Sequence, residues 1–292
     1  MTATANLDTV ALTSTHNGIA ATGDTVSFGG TVSTKTDITI DATNDVDVDQ
    51  MTTSTGSIDI SGKLIATSAA IEATAGNITL NATDDGNDSE IDGNVTAGGT
   101  VTYGDGKFDL AGVTTTAKAV VISGDTDFVA GTVKAESITV TTTNDVTLTD
   151  IGEKNASEGI VLSAAAAKGD ITVTTGTTAT TGTITIITGS GTDTLNLNED
   201  AKHTAQTGDG IDTINITDVK AASVINGEGG ADIFTVDDDD TAYTVAGGAG
   251  DDVFDLNVDA PSTLAVTVDG GDGTADTIKV KGAYTGGALD LK

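Results

Sequence analysis

A beat of 20 residues runs along this chain, and a fixed beat of that length restricts it to repeat architectures. DITI (Asp37–Ile40), SIDI (Ser57–Ile60) and NITL (Asn77–Leu80) begin 20 residues apart. Towards the other end DTLNL from Asp193, DTINI from Asp212, DIFTV from Asp232 and DVFDL from Asp252 follow at 19, 20 and 20. Between these blocks AVVIS at Ala119, SITV at Ser137, GIVLS at Gly159 and GTITI at Gly182 keep a looser beat. Each unit holds a short run in which β-branched and polar residues alternate, the mark of a half-buried strand. Gly, Asn, Asp and Ser separate the runs, where turns need small side chains or positive φ. A strand of four or five residues cannot form a globule alone, but stacked units cover one another's apolar rows. The expectation is an all-β chain: a parallel β-helix or β-roll solenoid with rungs of about 20 residues.

Composition fits a thin core and excludes several function classes. Aromatic residues make up 3% of the 292 and Trp is absent, so Val, Ile, Leu, Ala and Thr must fill the interior. Hydrophobic residues reach 37%, too many for a chain that stays disordered through acidity alone. Every one of the 12 basic residues is Lys, against 44 acids, for a formal charge of −32. Phosphate backbones repel such a chain, so no nucleic-acid partner is expected. Anionic lipid and polyanionic polysaccharide are disfavoured for the same reason. Without Cys there is no disulfide, thiolate site or Cys nucleophile. No apolar run approaches a membrane span, and MTATANLDTV lacks the basic-then-apolar pattern of a Sec-type signal.

Five loops of the last third share one chemistry: TGSGTDTLN (Thr188–Asn196), TGDGIDTIN (Thr207–Asn215), GEGGADIFT (Gly227–Thr235), GGAGDDVFD (Gly247–Asp255) and GGDGTADTIK (Gly270–Lys279). The fourth matches G-G-x-G-x-D-x-U-x at every fixed position. The first two carry Thr for the first Gly, the third has Glu228 for the second, and the fifth has one extra residue before its Asp. The pattern resembles the calcium-binding repeats of RTX proteins. That resemblance implies Ca²⁺ as cofactor, held by Asp193, Asp212, Asp232, Asp252 and Asp276. It implies backbone donors at Gly189, Gly191, Gly208, Gly210, Gly227, Gly229, Gly247, Gly248, Gly250, Gly270, Gly271 and Gly273, with Asp209, Asp251 and Asp272 as further oxygens. Calcium takes six to eight oxygens, many from backbone carbonyls, which suits glycine turns. Because the loop recurs once per rung, the ions are expected in a single column on one side, about four between five loops. The competing reading is that each Asp caps its own turn.

Other candidates are thinner. Asp88, Glu90 and Asp92 with Gly93 form D-x-E-x-D-G, an oxygen-donor loop in miniature, but position twelve is Gly99 where an EF-hand needs Glu. Asp45, Asp47 and Asp49 alternate with Val46 and Val48 and read as a solvated strand face, as the Asp237–Asp240 run reads as a solvated corner. His16 and His203 are too far apart in sequence for a His-based metal or triad site. No catalytic residue is assigned and no enzyme activity is expected, since β-helix lyases act on polyanions with basic residues that are lacking here. Six N-x-[ST] sequons, at Asn77, Asn81, Asn87, Asn94, Asn155 and Asn215, mark exposed turns.

Residues 35–187, with GSIDISG, GNITLNA and GDITVTT, look like the rungs of haemagglutinin-type adhesin solenoids. The organisation expected is therefore an N-terminal cap or assembly segment over 1–34, a solenoid without the glycine motif over 35–187, and an RTX-like calcium-binding roll over 188–292. Composition and period also resemble bacterial surface-layer proteins that carry RTX loops. That likeness implies a secreted, extracellular or cell-surface structural protein, stiffened by calcium and assembling with itself into a lattice or filament. The alternative is a section of a calcium-dependent adhesin that binds a cell-surface glycan. RTX proteins commonly leave by type I secretion, but no such signal is identifiable in Gly282–Lys292.

Overall fold

The computed structural model describes residues 7–9, 12–15, 17–84, 86–124, 127–154, 159–176, 182–198, 200–237, 241–257, 266–281 and 289–290. His16, Asn155, residues 238–240 of the acidic run and most of Gly282–Lys292 lie outside them. The fold is all-β: parallel strands stack as a β-solenoid of about 12 turns, with no helix among the described residues. Among the described residues no helix is long and apolar enough to cross a membrane. Contacts divide the chain into two units, Met1–Asn144 and Asp145–Lys292.

In the first unit the early turns carry three strands each. One turn runs Val46–Val48, Met51–Thr53 and Ile58–Gly62; the next runs Ile65–Thr67, Ile71–Ala73 and Ile78–Ala82. The 20-residue beat is the stacking register itself, since Ile38 pairs with Ile58 and Ile58 with Ile78. Strands of residues 19–34, where no beat is legible in the sequence, pair in the same way, Ile19 on Ile38 and Val26 on Val46. Alternation does what it must on a pleated ladder: Ile38, Ile40 and Ala42 are buried while Thr39 and Asp41 are exposed. Asp45 and Asp47 lie on the solvated side, as expected. The four-stranded face ends at Ile65–Thr67, and the next turn still has Asp88–Glu90, Val95–Ala97 and Thr100–Tyr103. From Lys107–Thr116 on turns carry two strands, with Val101 on Val120 and Val120 on Ile138. The change coincides with the ten-residue strand Lys107–Thr116, whose register shifts between Leu110 and Thr114. Tyr103, Phe108 and Phe128 cluster there, with ring centroids 5.1–5.5 Å apart about Tyr103.

Apart from the short strands Ser190–Gly191 and Asp209–Gly210, the described turns of the second unit carry two strands. Leu195, Ile214, Phe234 and Phe254 succeed one another in one sheet, and Ala205, Ile225, Val245 and Val268 in the other. Phe234 and Phe254 stack with centroids 4.8 Å apart, which is the spacing between neighbouring strands. At one edge of the turn the chain passes through the five glycine loops. At the other it buries Ala201, Val219 and Tyr243. The glycine loops therefore occupy one side of each turn.

Side chains also bind turn to turn. Asn77 accepts the Thr100 N–H at 2.8 Å, Asn81 that of Asp105 at 3.1 Å and Asn94 that of Thr114 at 3.1 Å. The interior tolerates little loss of volume. Replacing Ile58, fully buried between Ile38 and Ile78, by Ala should cost about 2–5 kcal/mol through lost burial and the cavity left behind. Urea denaturation followed by far-ultraviolet circular dichroism checks it as a lowered midpoint at unchanged slope.

Candidate functional site

The five motif aspartates form a ladder of their own. Each places one carboxylate oxygen under the backbone N–H of the turn before. Asp193 Oδ1 accepts from Ile171 N at 2.7 Å, Asp212 from Asp193 at 2.8 Å, and Asp232 from Asp212 at 2.9 Å. Asp252 accepts from Asp232 at 2.8 Å and Asp276 from Asp252 at 3.0 Å. The capping expected of Asp in such turns is thus present, but it joins successive turns instead of closing one. Asp193, Asp212, Asp232 and Asp252 are fully buried, and Asp276, at the end of the column, is half-buried.

One oxygen of each carboxylate is left over. Oδ2 of Asp193, Asp212, Asp232 and Asp252 is buried without a hydrogen-bond partner. A carboxylate in that position has lost its water and gained a single donor, so its charged form is disfavoured. Burial raises all four pKa values above the usual carboxylate range, pushing Asp212 up to about 6 and Asp232 up to about 7. Asp232 is also flanked by the charges of Asp212 and Asp252. Either a proton or a cation relieves this arrangement, and orphaned carboxylate oxygens facing glycine turns fit a hard, oxygen-seeking cation.

The glycines follow from how closely the turns approach. A Cβ on Gly208 would lie 2.0 Å from the Gly189 carbonyl oxygen, one on Gly210 1.8 Å from that of Gly191, and one on Gly250 1.5 Å from that of Gly230. Gly189 meets the Ala167 carbonyl at 2.2 Å, Gly191 that of Gly169 at 2.7 Å, and Gly273 that of Gly250 at 2.2 Å. In the later four loops the second position also takes positive φ, at 85° in Gly208, 108° in Gly248 and 94° in Gly271. Glu228 adopts φ 68° at the same position, which costs a non-glycine residue about 1–2 kcal/mol. Its N–H is held by Asn226 at 3.0 Å, and its carboxylate is bonded by Gln206. Gly227, Gly247 and Gly270 have Oδ2 of their own loop's motif Asp as nearest neighbour: their Cβ positions lie 2.2, 2.0 and 2.6 Å from Oδ2 of Asp232, Asp252 and Asp276.

The outer acids of the loops do not join the column. Asp209, Asp251 and Asp272 are exposed on the rim. Asp209 lies in register with Ser190 and Gly229. Asp251 is already occupied, accepting Thr274 N at 3.0 Å and Ala275 N at 3.1 Å, and these bonds lower its pKa. Gly230, at the fourth position of its loop with φ 138°, is the residue that stacks on Gly210, whereas Gly229 faces the Asp209 carboxylate. Two residues that the motif treats as substitutions, Thr188 and Thr207, prove to be buried in the column.

The second candidate is spread along an extended segment. Asp88, Glu90 and Asp92 alternate with buried Ser89 and Ile91 on the exposed face, and Asp88 is paired with Lys107 at 2.8 Å. Among the described residues no three acidic or imidazole side chains come together closely enough to share a metal ion. His203 takes the inward position that Ile184 holds in the turn before. Its Nδ1 meets the Ala201 carbonyl at 3.0 Å, Nε2 is unpartnered, and burial lowers its pKa to about 4. No family model, curated protein or solved structure matches this chain.

The raised carboxyl pKa values have a definite sign. The folded chain binds protons on Asp212 and Asp232 that the unfolded chain has released above about 4, so their contribution to stability is lost as pH rises towards 7. With divalent ions chelated, lowering pH from about 7 to about 4 should raise the thermal midpoint through these groups. His203 works in the opposite direction, because its folded pKa is depressed. Comparing wild type with Asp232→Asn removes that term. The variant should have the higher midpoint at pH 7 and a flatter pH dependence, and equal slopes in calorimetry would contradict the assignment.

Proposed function

We propose that this chain is a secreted structural protein: a β-solenoid stabilised by calcium, which assembles with itself into a bacterial surface layer or extracellular filament. The observation that carries the reading is the column of buried, half-satisfied aspartates inside the glycine loops. A row of like charges in a protein interior is unfavourable without counter-charge, and a divalent cation supplies it without proton uptake at neutral pH. Asp193, Asp212, Asp232, Asp252 and Asp276 would hold the ions together with loop carbonyls. The resemblance of the loops to RTX repeats points the same way.

Ion binding and order are then one process. Without counter-ions the column repels itself, on a chain that already carries −32, and the second unit loosens. Calcium-poor and calcium-rich compartments would therefore see two states of the same chain, which suits export followed by setting outside the cell. A stack of parallel turns that is not capped offers its terminal strand edge to a further copy, the contact that self-assembly would use.

Two measurements on the full chain check this. Calcium added to chelated protein should increase β-structure by circular dichroism and raise the midpoint of the second unit's unfolding. Negative-stain electron microscopy should show sheets or fibres with calcium and dispersed particles without it. Particles that stay monomeric in calcium and are captured by a glycan array would replace assembly with adhesion. No response to calcium in either measurement defeats the reading.

A further inference from the structure

The five loops are chemically unequal in a way the consensus does not express. Each complete cell of the column is bounded by the first residue of one loop, the Asp of that loop, and the first residue of the next. In the first two cells a threonine fills the space. Thr188 and Thr207 are 2% and 0% exposed. The Thr188 hydroxyl donates to the Thr207 carbonyl at 2.8 Å, and the Thr207 hydroxyl to the Gly227 carbonyl at 2.9 Å. The same hydroxyls lie beside the carboxyls of Asp193 and Asp212.

In the next two cells glycine takes the threonine's place, and two oxygens close in on the position its Cβ would hold. Around the Cβ position of Gly227 stand Asp232 Oδ2 at 2.2 Å and the Gly247 carbonyl oxygen at 2.6 Å. Around that of Gly247 stand Asp252 Oδ2 at 2.0 Å and the Gly270 carbonyl oxygen at 2.5 Å. Both carboxylates are fully buried with Oδ2 unpartnered, as those of Asp193 and Asp212 also are, so the two pairs of cells differ in the hydroxyl donor. The fifth loop does not form a third such cell, because the three nearest neighbours of the Gly270 position all belong to Asp276, which is only half-buried.

We propose that Thr188 and Thr207 stand in for a cation in the first two cells, so that the column takes a hard divalent cation only in the two cells built on Gly227 and Gly247. This inference rests on the calcium reading above and refines it from four equivalent inter-loop gaps to two. A threonine hydroxyl satisfies the facing carbonyl with its own proton and stands beside the carboxylate. Glycine brings no donor, leaving a carboxylate and a carbonyl, both acceptors, turned to the same position. A bridging water would satisfy both acceptors but leave the buried charge uncompensated, whereas a dication compensates it. Calcium takes six to eight oxygens, so each cell supplies an anchoring pair and not the whole shell. The first two turns are accordingly closed by covalently attached hydroxyls, and the order of the last turns depends on the ion.

The test is calcium stoichiometry on the full, chelator-stripped chain by equilibrium dialysis and titration calorimetry, read as differences between variants so that weak surface sites cancel. Wild type should hold about two tightly bound ions. Thr188→Gly combined with Thr207→Gly should raise the number towards about four. Gly227→Thr combined with Gly247→Thr should lose tight binding while circular dichroism keeps its β-signal. If that last pair fails to fold, the threonine-to-glycine pair decides alone. About four ions in wild type, unchanged when the threonines are removed, would overturn the division of cells and leave the calcium reading intact. No tightly bound calcium in wild type would overturn both.

Discussion

In a parallel coil the backbone of one turn can complete its hydrogen bonds only on the turns before and after it. Every other property of this molecule follows from that dependence. Strands of three to six residues suffice because each is paired on both sides, as Ile58–Gly62 is with Ile38–Ala42 and Ile78–Ala82. The same dependence fixes what a position can hold, since any inward residue must fit beside its counterparts about 4.8 Å away. Phe234 on Phe254 meets this by stacking ring on ring, and outside the core Asn77, Asn81 and Asn94 tie turns together by accepting backbone N–H groups of the following turn.

Legibility in the sequence follows the same logic. Where successive turns repeat residue for residue, as in DITI, SIDI and NITL, the beat reads directly as register. The strands of residues 19–34 have the same geometry but less self-similar sequence, so their place on the ladder is visible only once Ile19 is seen on Ile38. The number of faces per turn is not encoded in the period at all: a 20-residue turn closes with three short strands early in the first unit and with two in the second. The step between them is absorbed in Lys107–Thr116, where a shifted register replaces any compositional signal.

At the candidate site the glycine motif singles out the five aspartates that the fold stacks in one column, but it does not give their hydrogen bonds. Spacing identifies Asp232 as a carboxylate in a turn; only the fold shows that one oxygen is committed to Asp212 N and the other to nothing. The motif likewise counts Asp251 with the ligands, whereas the next loop has already taken it through Thr274 and Ala275. Thr188 and Thr207 look like lapses from the consensus in one dimension. In three they are buried side chains bonded to the following turn, a role no spacing rule carries because their partners lie 19 and 20 residues away.

The distribution of acids separates ordinary surface from the column. Like charges about 4.8 Å apart repel by roughly 1 kcal/mol in water and by more when buried. Outward-facing acids of the ladder mostly avoid that neighbourhood. Asp41 stands between Thr22 and Ser61, Asp47 between Ser27 and Ala66, Asp59 between Thr39 and Thr79, and Glu72 between Thr52 and Thr96. Asp255 goes further, with Thr235 on one side and Lys279 on the other. Glu90 against Asp109 departs from this, at an exposed position where water screens the pair. The motif aspartates break the pattern throughout, five acids on successive turns, and they do so where solvent cannot help. A chain that spaces acids on its exposed faces and stacks them in its interior has a use for the interior row. Protonation or counter-charge is what makes such a row tolerable, and either must act at the Oδ2 atoms that the fold leaves without a partner.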